Sequence, residues 1–245
     1  MTFPAYRQRA YQSYLTTQVR PDADAILKTV QARLPYLRHM IKRWVPSDRN
    51  ISILDIGCGH GALIYALHQA GYRNLCGIDG SSEQVEAAHG LGLSQVQQGD
   101  LFSALESTTT ASVDMVIAYD VLEHQTKDEV MQFMDHIYRV LRPCGRLLIH
   151  VPNGDGILGG RMRYADITHE LAFTSQSLRQ IGSLAGFSDF YFEEDRPVVH
   201  GFKSAIRLVL WMFLRIPFRL IHIAETGELG SNLILTQNIL AVLVR

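Results

Sequence analysis

Ile51–Gly61, ISILDIGCGHG, limits what this chain can fold into more than any other stretch. Ile51, Ile53, Leu54 and Ile56 form a β-favouring apolar run that carries Asp55 and leads into Gly57, Gly59 and Gly61. An apolar run bounded by glycines predicts a buried parallel strand. Glycine tolerates positive φ and has no Cβ, so a ligand can lie directly against the backbone. The next segment, ALIYALHQAG, has apolar residues at helical spacing and a stop at Gly71. Strand, glycine turn and helix in that order present free N–H groups and a positive dipole end. Asp55 narrows the ligand. A buried acid near a strand end is costly unless hydrogen-bonded. It would repel a pyrophosphate, but it can orient the loop N–H groups or accept from a cationic amine. Gly57-x-Gly59-x-x-Ala62 still satisfies the dinucleotide pattern. An NAD-dependent oxidoreductase is therefore one rival reading, and a turn needed only for packing is the plainest.

The 245 residues, 47% hydrophobic, suffice for one α/β domain with appendages. A formal charge of −1 excludes a general electrostatic footprint for nucleic acid. Cys58, Cys76 and Cys144 are odd in number, widely spaced and next to predicted strands. They are expected as buried thiols in a reducing compartment. MTFPAYRQRAYQSYL has no apolar signal core, and a cytoplasmic location is expected.

Residues 1–48 precede the fold. Tyr6, Tyr11 and Tyr14 lie close together among cations. Residues 22–44 read as a helix interrupted near Pro35, with Ile26, Leu27, Val30, Leu34, Leu37, Ile41 and Trp44 as its apolar stripe. Residues 49–245 form the main domain. Strands are predicted at 51–56, 75–79, 94–98, 113–119 and 146–151, with helices from Ala62, Ser82 and Lys127 between them. This alternation means a parallel sheet covered on both faces, with ligands outside the carboxyl ends of the strands.

DIGCGHG, GIDGS, the GD of QQGDLF, DVLEH and LRPCGRLLIHVPN occur in that order over about residues 50–190. The set resembles the class I S-adenosylmethionine (SAM) dependent methyltransferases, in the branch that includes quinone, small-molecule and bacterial glycan O-methyltransferases. The resemblance implies a Rossmann-like α/β fold with a seven-stranded, mostly parallel sheet and an antiparallel last strand. It also implies residues 1–48 as a cofactor cover. Asp55, Gly57, Cys58, Gly59 and Gly61 would then cradle SAM, and Asp79 with Gly80 would hold its ribose. Asp79 follows Gly57 by 22 positions, the reach of a ribose-binding acid. Asp100 resembles the acceptor of the adenine amino group, with Leu101 against the ring. Tyr119 and Asp120 resemble the acidic motif at the methyl-donor end. Some quinone O-methyltransferases place a divalent metal on such a run, which makes Asp120, Glu123 and His124 weak metal candidates. Cys144 replaces a glycine of the usual Arg-Pro-Gly-Gly turn, which suggests a negative φ there.

Residues 152–173, PNGDGILGGRMRYADITHELAF, follow the fifth strand and so lie at the ligand face. Long polar loops in that place are usually functional. His169 is the candidate general base, with Asp166 or Glu170 to orient it and His124 nearby. A sixth strand is expected at 187–194 and the last at 236–244, with a helical insertion at about 196–235. Within it Lys203, Arg207, Arg215, Arg219 and His222 share one arc of about 160° at 100° per residue. That basic stretch suits an anionic membrane surface at the inner face, an acceptor lid or a homodimer contact. An ordinary core-packed helix is the plainer alternative. The expected activity is methylation by SAM, yielding S-adenosylhomocysteine, of a hydroxyl on a saccharide or lipid-linked glycan. A quinone or other small-molecule acceptor is the alternative, and a non-catalytic SAM-binding regulator the second rival.

Overall fold

The computed structural model describes residues 6, 10, 23–229 and 233–245. Tyr11 and Tyr14 lie outside the described residues. Seven strands form one sheet: β1 (Ile53–Ile56), β2 (Leu75–Asp79), β3 (Val96–Gln98), β4 (Val113–Tyr119), β5 (Leu141–Pro152), β6 (Asp189–Glu194) and β7 (Asn238–Val244). Their order is β3-β2-β1-β4-β5-β7-β6. β7 runs antiparallel to both of its neighbours, so β6 keeps the direction of the parallel strands. The expected topology is present.

Helices α1 (Ala23–Trp44), α2 (Ala62–Gln69) and α3 (Ser82–Gly90) cover one face. Helices α4 (Leu101–Ser107), α5 (Lys127–Val140) and α7 (Ser175–Leu184) cover the other, while α6 (Gly159–Arg163) is a short turn in the loop after β5. Alternating strand side chains feed the two cores. Ile53, Met115, Ile117 and Leu148 pack with α1–α3; Leu54, Ile56, Val116 and Ile149 pack with the opposite layer.

α1 runs through Pro35 without interruption. A mid-helix proline costs about 3 kcal/mol. Burial of Ile26, Val30, Leu34, Leu37, Ile41 and Trp44 outweighs it, since each such side chain contributes about 1.5–3 kcal/mol. Cys144 also departs from expectation: its φ is +63°, and the thiol is exposed. Its N–H donates to the Arg245 carbonyl at 3.0 Å, and this backbone bond accompanies the left-handed turn in the absence of glycine.

The insertion forms α8 (Phe202–Thr226), continuous through Pro217. It is not a core-packed helix, because Ser204 is its single buried residue. Its basic arc is not its outer face either. Arg215 Nη1 lies 2.6 Å from Glu194 Oε2 at the end of β6, with both side chains largely buried. Arg219 and His222 are half-buried, while Lys203 and Arg207 stay exposed. Arg215 anchors the helix to the end of β6, the strand at the edge of the sheet.

Candidate functional site

The β1 turn places Gly57, Gly59 and Gly61 at φ of 71°, 55° and 76°. The three serve different purposes. A Cβ on Gly57 would meet Val121 Cγ2 at 2.6 Å, and one on Gly61 would meet Leu93 Cδ1 at 2.6 Å, so packing alone forbids both. A Cβ on Gly59 would find only Gln84, at 3.7 Å. Packing therefore leaves room for a Cβ at Gly59, and only its positive φ disfavours one. Cys58 Sγ lies against Gly77, and burial pushes this thiol up, keeping it neutral.

Asp79, at the end of β2, ties the second strand to this loop. Its Oδ2 accepts from Gly59 N at 2.8 Å and its Oδ1 from Ser81 N at 2.9 Å. Burial raises the Asp79 pKa, and those two N–H bonds oppose the rise. Asp55 is almost fully buried, and its Oδ1 has no hydrogen-bond partner. Burial first, then the Asp79 charge, push it up to about 7. A buried carboxylate oxygen left open under a glycine turn, in a wall that holds two acids, suits a cationic ligand group. Gly80 is exposed beside it. Asp100 caps α4, with Oδ1 accepting from Ser103 N and Oγ, both at 2.9 Å. Leu101 is half-buried against the core.

At the end of β4, Asp120 has φ +57°, a conformation that non-glycine residues adopt at some energetic expense. It pairs with Nδ1 of His150, a residue of β5. His150 Nε2 lies 3.3 Å from Asp195 Oδ2. Burial alone would lower the His150 pKa, but Asp120 in particular holds it well above the ordinary value, as an imidazolium between two carboxylates. Tyr119 stacks on that ring at 4.1 Å. Arg33 of α1 lies 5.6 Å from the Tyr119 ring, which brings the N-terminal helix to this end of the sheet. Sequence reasoning passed over His150 and Asp195. The signal for His150 was the one already used for Asp55: a polar residue inside a buried apolar run, here LLIHVP.

Beyond Asp120 a single 3-10 turn, Leu122–His124, buries Glu123 and His124. The Glu123 carbonyl accepts from Glu170 N at 2.7 Å and Leu171 N at 3.1 Å, which pins the loop after β5 onto this turn. His124 and His169 then meet edge to face, with ring centroids 4.7 Å apart. His169 Nδ1 lies 2.8 Å from the Met162 carbonyl, which only accepts, so Nδ1 carries the proton and Nε2 the lone pair. His169 is thus oriented through Nδ1 by the Met162 carbonyl. Asp166 instead accepts from Thr168 Oγ1 at 2.6 Å, and Thr168 Oγ1 lies 2.9 Å from His124 Nδ1. With the hydroxyl proton committed to Asp166, His124 Nδ1 is the donor. Burial and the neighbouring His169 push the His124 pKa down to about 4, so this imidazole is neutral. Glu170 accepts from Tyr6.

Glu123, His124 and His169 each bring one ligand-type atom within 4.8 Å of the others. Glu123 Oε2 is buried without a hydrogen-bond partner, and burial, then Asp120, raise this carboxyl well above its usual range. The trio differs from the sequence-based set, because His169 takes the place of Asp120. Three residues brought together from two loops could not be read as a set from DVLEH alone.

This fold and this glycine loop define a Rossmann-like, SAM-dependent methyltransferase of class I. A family model described as a methyltransferase domain matches residues 17–190, and the chain belongs to that family. A ubiquinone biosynthesis O-methyltransferase of Rickettsia bellii is 28% identical over 123 residues, 49% of this chain and 50% of that protein. The chain spans half or less of the first two curated relatives that it matches. A SAM-dependent methyltransferase of Archaeoglobus fulgidus superposes with a TM-score of 0.64 at 18% identity, covering 86% of this chain and 94% of that one. Phosphoethanolamine N-methyltransferase 2 of Haemonchus contortus, in complex with SAM, gives 0.61 at 18% identity, covering 96% of this chain and 60% of that one.

Proposed function

We propose that this enzyme transfers the SAM methyl group to a hydroxyl oxygen of a ring acceptor of the quinone-precursor kind. The observation that carries the reading is the Glu123–His124–His169 cluster at the methyl-donor end. The relatives named for ubiquinone biosynthesis support this acceptor over the saccharide or lipid-linked glycan first expected. Asp79 holds the ribose and keeps Gly59 N–H aimed. Asp55 accepts from the ligand's amino group.

The acceptor O–C bond forms as the C–S bond of SAM breaks, and S-adenosylhomocysteine leaves. The hydroxyl proton passes to His169 Nε2, whose lone pair is set by the Met162 bond. Met162 and Thr168 fix the two imidazoles, so neither reorients during transfer.

A second reading rests on the unpartnered Glu123 Oε2. The three residues fit a divalent cation: two imidazoles whose other nitrogens lie on an oxygen, and one buried carboxyl group. Such a cation would polarise the acceptor hydroxyl.

The test is labelled-methyl transfer to a soluble catechol, a hydroxylated quinol and a lipid-linked glycan fraction, each with and without EDTA. Transfer to the ring acceptors is expected. Label entering only the glycan would overturn the acceptor assignment, and full EDTA resistance would remove the cation.

A further inference from the structure

The amphipathic helix α8 has its polar stripe turned inward. Ser204, Leu208, Trp211, Arg215, Arg219 and His222 recur every three or four residues and are buried or half-buried. They occupy an arc of about 80° at 100° per residue. Arg215 is held there by Glu194. Ala205 and Ile223 are half-buried at the edge of this stripe, and the rest of the helix surface faces outward. Between Val209 and Ala224 the only charged residues are Arg215 and Arg219, both on the inward stripe, so this outward arc carries no charge. Leu210, Phe213, Leu214, Ile216, Leu220 and Ile221 line it, each between 49% and 66% exposed. Isolated exposed apolar side chains are ordinary, but a continuous surface of them marks a docking site.

Two kinds of occupant fit an apolar helix: a second copy of the chain, or lipid. The width of the arc decides between them. A helix packed against a protein surface buries a stripe of about 100°. The apolar arc here spans about 240° at 100° per residue, so a second copy would leave both flanks in water. Hydrocarbon wets the whole arc. Among the described residues no helix is long and apolar enough to cross a membrane, and the inward stripe is anchored to the domain. The helix therefore lies along a membrane rather than through it. The exposed cations Lys203 and Arg207 sit at its N-terminal end, where they can reach phosphate headgroups. A second group of exposed apolar residues, Leu158, Tyr164 and Ile167 at 52%, 81% and 87%, belongs to the loop after β5. Arg215 of α8 meets Glu194 at the carboxyl end of β6, and the loop leaves the carboxyl end of β5, which runs the same way, so both groups belong to one end of the sheet.

We infer that α8 beds into the headgroup–acyl boundary of a phospholipid bilayer through its apolar arc, with the active site opening beside the lipid surface. Docking depends on apolar area first and on Lys203 and Arg207 second. This differs from attraction through the basic arc. The inference goes beyond the assignment of the acceptor and does not depend on it.

The experiment is flotation of the full-length protein with phosphatidylcholine vesicles and with mixed phosphatidylcholine–phosphatidylglycerol vesicles, at low and high salt. Wild type is expected to float with both, and high salt should remove only the extra binding due to phosphatidylglycerol. The double variant Phe213→Glu, Leu220→Glu should partition at least about tenfold more weakly, because both side chains lose their apolar transfer energy. Its SAM affinity and thermal midpoint should match wild type, which shows that the domain is folded. Arg207→Glu should lose only the phosphatidylglycerol increment. Failure of wild type to float with either vesicle at low salt overturns the inference. So does unchanged flotation of the double variant. Sedimentation velocity showing a wild-type dimer that the double variant dissociates, without vesicle binding, would assign the face to a second copy.

Discussion

Asp79 Oδ2 accepts a hydrogen bond from Gly59 N at 2.8 Å, which links the end of β2 to the glycine loop of β1. Removing this carboxylate releases the N–H that shapes the loop and, on the proposed function, deletes the ribose acceptor. Hydrogen bonds to charged groups contribute about 1.5–3 kcal/mol each. Asp79→Ala should therefore weaken SAM binding by about tenfold or more, as read by calorimetric titration of the folded variant. Wild-type affinity would take Asp79 out of the site.

Asp55 predicts a pH dependence. Burial and Asp79 push its folded pKa up to about 7, against 3.8 for an ordinary aspartate. Between those values the folded state binds the extra proton. Stability of the unliganded protein should thus be greatest at the acid end of this window and fall as pH rises through about 7. The shift of about 3 units bounds the effect at about 4 kcal/mol. Asp55→Asn should flatten the dependence in chemical denaturation between pH 5 and 8. A cationic ligand lowers the same pKa, so SAM binding at pH 6 should release a proton. Titrations in buffers of different ionisation enthalpy measure it, and a buffer-independent heat would contradict the placement of the amino group.

His169 and Glu123 separate base from cation. His169→Ala should cut turnover by about 10²–10⁴-fold with little change in SAM affinity. Glu123→Gln should leave turnover within a few-fold if His169 acts alone as base, and should abolish a magnesium or zinc dependence if the trio holds a cation. Steady-state rates over a metal titration distinguish these outcomes. Turnover of His169→Ala within threefold of wild type would place the base elsewhere.

Cys144 has φ +63° on an exposed turn. A left-handed conformation costs an L-residue about 1–2 kcal/mol, part of which glycine gives back as unfolded-state entropy. Cys144→Gly should raise stability by up to about 1 kcal/mol in denaturant melts. A loss of stability would mean that the thiol makes a contact worth more than the strain.

Local sequence determined the elements that are written in short-range patterns. The apolar runs ending in glycine or acid give β1, β2 and β4, because strand burial and turn chemistry are decided within a few residues. The same patterns place Asp55, Asp79 and Asp120 at strand ends, hence at the ligand face. Pro35 reads as a helix interruption from local sequence because the penalty is local, while the burial that outweighs it belongs to the tertiary structure. Tertiary structure decided what depends on two distant segments meeting. His169 joins Glu123 and His124 only because the Glu123 carbonyl binds Glu170 N and Leu171 N across the sheet end. His150 becomes an imidazolium only because Asp120 and Asp195 close on it from two other strands' ends. The periodicity of α8 was legible, but not which face it turns to the domain. Glu194, eight residues before the helix begins, settles this by capturing Arg215 and leaving the apolar arc outside.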